Sequence, residues 1–163
     1  MSATSTNLPV TQRMARLVPQ PPQDSTAAPP QELVHISSFA IIRKKGQEEK
    51  ILLAKRLRPQ FTAGKWTLPS SLIDYGENPE DAIKRIVEIQ LGTKPGQVKL
   101  MQVQSYGDKH WDLCFVYDIV LPNEQVGNIS QDIERVEFFE LSNLPQEFRQ
   151  DHREVLESAG LFR

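Results

Sequence analysis

From Val34 onward the chain alternates short β-forming runs with polar turns, interrupted by one clearly bounded helical segment. LVHISSFAII (33–42) is rich in β-branched and aromatic residues and predicts a strand. KKGQEEK (44–50) predicts a polar turn, and ILLAKRL (51–57) a second strand that closes a hairpin. RPQFTAGKW (58–66) reads as a loop, and TLPSSLIDYG (67–76) as a mostly extended segment. The next stretch predicts a helix over roughly 79–91. Asn78 suits the N-cap, Pro79 the first helical position, and Glu80 and Asp81 put negative charge at the positive end of the helix dipole. Gly92 is a natural stop, and Pro95 prevents continuation. VKLMQVQSYG (98–107) and WDLCFVYDIVL (111–121) predict two strands joined near Gly107–Asp108. In the second, Leu113, Phe115, Tyr117 and Ile119 alternate with Cys114, Val116, Asp118 and Val120. VEFFEL (136–141) predicts a short strand, SNLP a turn, and QEFRQDHREVLESAG (146–160) a closing amphipathic helix. Strands and helices in this order predict an α/β fold in which helices cover a mixed sheet.

Residues 1–33 break the pattern. Six of the twelve prolines lie there, among Ser, Thr, Gln and Ala, so the segment cannot bury enough apolar surface to offset its ordering entropy. A Pro-rich, disordered tail is expected over 1–33, with an ordered domain over 34–163. VTQRMARLV is the one stretch of the tail with a helical apolar face, and PQPPQ is weak evidence for recognition by a polyproline-reading domain.

The chain of 163 residues is long enough for one domain with a real core and too short for two of ordinary size. A formal net charge of -2 gives no general attraction to nucleic acid or to an anionic membrane. No run approaches the roughly 18 apolar residues that cross a bilayer. A soluble, cytoplasmic protein is expected. The single cysteine, Cys114, excludes an intramolecular disulfide and a Cys-based zinc cluster, and its apolar neighbours place it in the core. His35, His110 and His152 show no metal-ligand spacing.

The segment WTLPSSLIDYGENPEDAIKRIVEIQLG (66–92) carries the chemistry. Glu77, Arg85, Val87 and Gly92 stand at the intervals of the Nudix box, which reads Gly, five residues, Glu, seven residues, Arg-Glu-hydrophobic-any-Glu-Glu, any, Gly, hydrophobic. Upstream, WTLPSS resembles that family's Trp-any-Leu-Pro-Gly-Gly lead-in, and downstream VEFFELSNLP resembles its last strand and turn. The chain therefore resembles the Nudix hydrolase superfamily over residues 34–160, with a degenerate box. The resemblance implies the Nudix fold, an α/β/α sandwich with a mixed β-sheet flanked by helices.

It also implies where the chemistry should be, and there the chain departs. Ser71 replaces the first glycine of the box, and Ser70 the glycine before it. Ile86, Ile89 and Gln90 replace the glutamates that in the family hold Mg²⁺ or Mn²⁺ against a pyrophosphate, and Thr93 stands at the final hydrophobic position. At about 100° per residue, positions 86, 89 and 90 share one arc of roughly 100°, while Ile83, Val87 and Leu91 form the adjacent stripe that packs on the sheet. Two hydrocarbons and an amide do not make an oxygen-rich cation site. Glu77, Arg85 and Glu88 are the remaining candidates for catalysis, and Glu77 is the first candidate for metal. The preferred role of Glu77 is to tie the loop to the helix start or to Arg85, and that of Arg85 is pairing with Glu77 or Asp81. Arg56, Arg58, Ser70, Ser71, Ile86, Ile89 and Gln90 are the candidate ligand-binding residues, and alternation on the second strand cannot aim Lys55, Arg56 and Arg58 the same way. Trp66 and Trp111 are expected to pack against the core and the sheet.

Three function classes stay open. One is a Nudix-fold domain that binds a nucleotide-like small molecule without ordinary hydrolysis. Another is a scaffold that contacts a protein or RNA partner, with Ile86 and Ile89 helping to form the contact surface. The third is an active hydrolase of nucleoside diphosphate-linked substrates, its metal held by Glu77, Glu88, Asp108, Asp112 or Glu134. No cofactor is expected, with Mg²⁺ or Mn²⁺ required only in the third case.

Overall fold

A computed structural model describes residues 34–107, 111–123 and 125–162; the Pro-rich segment 1–33, Asp108 and His110 lie outside the described residues. The order is β1 (Val34–Lys44), β2 (Gln47–Arg56), a 3₁₀ turn (Gln60–Thr62), β3 (Trp66–Thr67), β4 (Ser70–Leu72), α1 (Pro79–Leu91), β5 (Val98–Gly107), β6 (Trp111–Ile119), β7 (Ile133–Glu140), a second 3₁₀ turn (Leu141–Asn143) and α2 (Gln150–Ser158).

The central strand is β1. Along one edge it pairs in parallel with β6, from Val34 opposite Trp111 to Ile42 opposite Ile119. Along the other edge it serves two partners. Its first half pairs antiparallel with β4 at Ser37–Phe39, and its end pairs with β2 at Arg43 and Lys44. β5 extends the sheet beyond β6, while β3 and β7 flank β2. Because successive residues of a strand face opposite sides, this sheet has two apolar faces. Phe39, Ile41, Ile51, Leu53, Cys114 and Val116 pack on one side with Val155 and Leu156 of α2. Ala40, Ile42, Leu52, Tyr117 and Ile119 pack on the other with Ile83, Ile86, Val87 and Leu91 of α1. The fold is a mixed sheet between helices, as the sequence predicts.

Two boundaries differ from expectation by four residues. The first hairpin turns at Lys45–Gly46 alone, so its strands take in most of the residues read as a turn. Gly46 sits at φ +76°, which lets so short a turn close. The closing helix starts at Gln150, four residues later than expected, because the preceding segment is bound elsewhere. Trp66 N–H donates to Glu147 O at 3.0 Å, and Arg149 N–H donates to Trp66 O at 3.1 Å. Backbone committed to that bridge is not free to coil.

No helix among the described residues is long and apolar enough to cross a membrane.

Candidate functional site

The loop before α1 and the helix itself are held by short-range bonds. Asn78 Oδ1 accepts the Glu80 N–H at 2.9 Å, as an N-cap should. Glu77 accepts the Asp74 N–H at 3.0 Å, and Arg85 clamps the same carboxylate with Nε at 2.8 Å and Nη2 at 2.9 Å. Arg85, with help from the Asp74 N–H, holds the Glu77 carboxyl below the usual range, and Glu77 in turn raises the Arg85 pKa. At the far end Gly92 takes the left-handed conformation, φ +62°. A Cβ there would lie 2.3 Å from Asn128 O, so the site needs glycine for space as well as for conformation. Gly127 N–H and Ser130 N–H donate to Leu91 O and Gln90 O at 2.8 and 3.1 Å, which fixes the following loop against the helix.

These elements form one wall of a cleft of about 870 Å³. Thr67, Ser70, Ser71, Leu72, Ile89 and Gln90 line it on the α1 side, with Arg56 from the end of β2. His35, Ser37, Phe39, Asp112 and Cys114 come from β1 and β6, while Arg149, Asp151, His152 and Glu154 come from the start of α2. Pro59 and Phe61 form part of the rim, Phe61 being 72% exposed.

Arg56 organises the α1 side. Its Nε donates to Thr67 Oγ1 at 3.0 Å and its Nη2 to Gln90 Oε1 at 3.1 Å, with a longer contact to Ser70 O at 3.4 Å. Gln90 is buried and returns a bond from Nε2 to Ser70 O at 2.9 Å. Burial is the main influence on Arg56 and lowers its pKa; Asp132 opposes this and Arg149 adds to it. Ser70 and Ser71 lie in regular antiparallel register with Phe39 and Ser38, so the segment where the family's box has glycines is a strand edge. The Ser70 hydroxyl donates to Leu68 O at 3.2 Å.

On the opposite side, His152 is buried, and its Nδ1 accepts the Leu68 N–H at 3.0 Å. The ring meets Phe39 edge to face at 5.0 Å. Burial pushes its pKa down to about 4, Arg149 and Arg56 pushing the same way and Asp151 opposing. Nδ1 is therefore an acceptor and the proton of the neutral ring sits on Nε2. Arg149 Nε donates to Asp151 Oδ1 at 2.9 Å, and its guanidinium lies 5.8 Å from the centre of the Phe61 ring. Nothing in the spacing of His152 marked it for the site; the bond to Leu68 spans 84 residues. Cys114 is buried, its thiol raised in pKa mainly by burial, and it accepts a bond from Ser37 at 3.4 Å, so it is a core thiol as expected.

Of the residues singled out from sequence, Arg56, Ser70, Ser71, Ile89 and Gln90 line the cleft. Ile86 does not. It is 1% exposed and packs with Ile42, Leu52, Val87 and Ile119 under the sheet, so the expected common face of 86, 89 and 90 is a correction. α1 lies with Ile83, Ile86 and Val87 inward together, and the cleft-facing arc narrows to Ile89 and Gln90. Arg58 and Glu88 are exposed and outside the cleft lining. Glu77 and Arg85 are also outside it, paired at the junction of loop and helix. Trp66 is buried against Phe139 as expected, but Trp111 is half exposed at the start of β6. Lys55 pairs with Glu134 at 3.7 Å, away from the cleft lining, and Asp112 faces His35 at 3.3 Å within it.

These side chains do not fit the divalent cation that the box implies. Among the described residues no group of three His, Cys, Asp or Glu side chains could hold a metal ion. At position 90 the donor is a neutral amide whose oxygen already accepts from a guanidinium, and a cation placed there would meet positive charge.

A family model for the NUDIX domain matches residues 34–159. The chain is 30% identical over 115 residues to an ADP-ribose pyrophosphatase of Methanocaldococcus jannaschii, an alignment covering 68% of this chain and 65% of that protein. It spans only 23% of a second relative, from Caenorhabditis elegans. Among solved structures it is similar to a MutT NUDIX hydrolase from Burkholderia pseudomallei, with 29% identity and a TM-score of 0.66 over 77% of this chain and 98% of that one. The NUDIX domain of Shewanella oneidensis NrtR, solved in complex with ADP ribose, superposes with a TM-score of 0.62 at 18% identity, covering 94% of this chain and 97% of that domain; at that identity the likeness is one of fold.

Proposed function

This chain belongs to the NUDIX family, and from that premise we propose that it binds a nucleoside diphosphate-linked molecule of the ADP-ribose class without cleaving it by the family's divalent-metal route. The observation that carries this reading is the Arg56–Gln90 bond, which puts a guanidinium and a neutral amide where the family's box has a carboxylate. A diphosphate would lie against Arg56, and an adenine ring against Phe61 at the rim, where an aromatic face stacks on any base. Ile89 and Leu72 give the same wall an apolar surface suited to the less polar parts of a ligand. The named relatives favour this ligand class: one is an ADP-ribose pyrophosphatase, and another NUDIX domain was solved with ADP ribose.

A second reading, hydrolysis of the same class of substrate with Mg²⁺ or Mn²⁺, is favoured by the pyrophosphatase relative, and would need cleft carboxylates such as Asp112, Asp132, Asp151 and Glu154 to gather round the metal. Incubation of purified protein with ADP-ribose, dinucleoside polyphosphates and nucleoside triphosphates, with each metal, separates the two. Ligand-induced thermal stabilisation without turnover supports the first reading, because a bound ligand raises stability by mass action. Metal-dependent product release above a blank, lost on substitution of a cleft carboxylate, supports the second and overturns the first.

A further inference from the structure

Arg56 is a mostly buried cation whose hydrogen-bond acceptors among the described residues are all neutral: the Thr67 hydroxyl, the Gln90 amide and the Ser70 carbonyl. A buried charge without a bonded counter-charge is unfavourable until an anion joins it. Asp132 attracts it at a distance; Arg149 lies in the same cleft with its guanidinium paired to Asp151, so Arg56 is the cleft arginine whose bonded partners are all neutral.

Gln90 fits this arrangement at both ends of its side chain. Its oxygen accepts a hydrogen bond from Arg56 at 3.1 Å and its NH₂ donates one to Ser70 O at 2.9 Å. Reversing the amide would set NH₂ against guanidinium and oxygen against carbonyl, so the network allows one orientation. A glutamate could make only the first of these bonds. Its second oxygen would face the Ser70 carbonyl, and its charge would neutralise Arg56.

We propose that Gln90 is the specificity-determining residue of the cleft: it positions Arg56 while leaving the guanidinium charge unspent, so that a diphosphate anion binds without a divalent metal. The inference rests on the ligand class proposed above. The side chain at 90 decides what supplies the positive charge. With glutamate there, charge must come from a bound cation. With glutamine, it comes from the protein.

Isothermal titration calorimetry tests this with two probes, ADP-ribose and inorganic pyrophosphate, each in EDTA and in Mg²⁺. The wild-type protein is expected to bind both equally well in the two buffers. Gln90→Glu should bind roughly tenfold or more weakly in EDTA, because the new carboxylate competes for Arg56. Arg56→Gln should lose affinity to a similar degree, and it guards against an unfolded Gln90→Glu sample; melting curves of both variants report folding. Wild-type binding that requires Mg²⁺, or a Gln90→Glu variant that binds as tightly as wild type in EDTA, would overturn the proposal. Pyrophosphate binding that follows this pattern, with no binding of ADP-ribose, would keep the role of Gln90 and remove the ligand class. Binding of neither probe would remove both.

Discussion

Ile86 is sealed beneath the sheet while Ile89, less than one helical turn further along α1, is 57% exposed at the wall of the cleft. The two stand where the family's box has glutamates, yet they occupy opposite environments. A carboxylate at 86 would enter a cluster of Ile42, Leu52, Val87 and Ile119 with no partner. Ile86→Glu is therefore expected to destabilise the fold by on the order of 4 kcal/mol, whereas Ile89→Glu should stay within about 0.5 kcal/mol of wild type. Urea denaturation of both variants measures the difference. Equal stability would mean that Ile86 is not in the core.

Glu77 and Arg85 form a two-bond pair that ties the loop to the second turn of α1, outside the cleft lining. Their role is to hold the loop, and a double-mutant cycle can show it. Glu77→Gln and Arg85→Gln should each lower the melting temperature, with the double variant losing less than the sum, since each change removes the same contact. The Glu77 carboxyl is held below its ordinary value of 4.5, so the stability it contributes is present above that pH and is lost as pH falls through the depressed value. Ligand affinity near neutral pH should be nearly unchanged in both single variants. A large loss of affinity with unchanged melting would assign the pair to the site instead.

His152 holds the Leu68 N–H only while its ring is neutral. The folded chain keeps its pKa at about 4, against 6.5 for the free side chain, because burial and the nearby Arg149 and Arg56 outweigh Asp151. Below pH 6.5 the unfolded chain takes up a proton that the folded chain refuses. Stability therefore falls as pH drops from 6.5 towards 4, approaching a slope of about 1.4 kcal/mol per pH unit for this one group. Above pH 6.5 the slope from this residue fades within about one pH unit. His152→Gln has no titrating group and should flatten that part of the curve in denaturation measured across the range. An unchanged slope would show that His152 is not the group responsible.

Much of this protein was determined locally. α1 begins and ends where the sequence says, because Asn78, Pro79 and Gly92 act within a few residues of themselves, as cap, first turn and left-handed stop. The longer strands follow from β-forming composition and, in β6, from alternation, and the loss of carboxylates at 89 and 90 follows from residue identity alone. Tertiary structure decided what depends on rotation and on distance along the chain. Helical periodicity gives the angles between Ile86, Ile89 and Gln90 but not how α1 is rolled against the sheet; packing rolled Ile86 inward. The start of α2 moved because Phe148 pairs with Trp66, a partner far away in sequence. The union of Arg56 with Gln90 across 34 residues, and of His152 with Leu68 across 84, exists only once β2, α1 and α2 converge on one cleft. A sequence pattern reports how neighbours share a face, and only packing reports which distant face they meet.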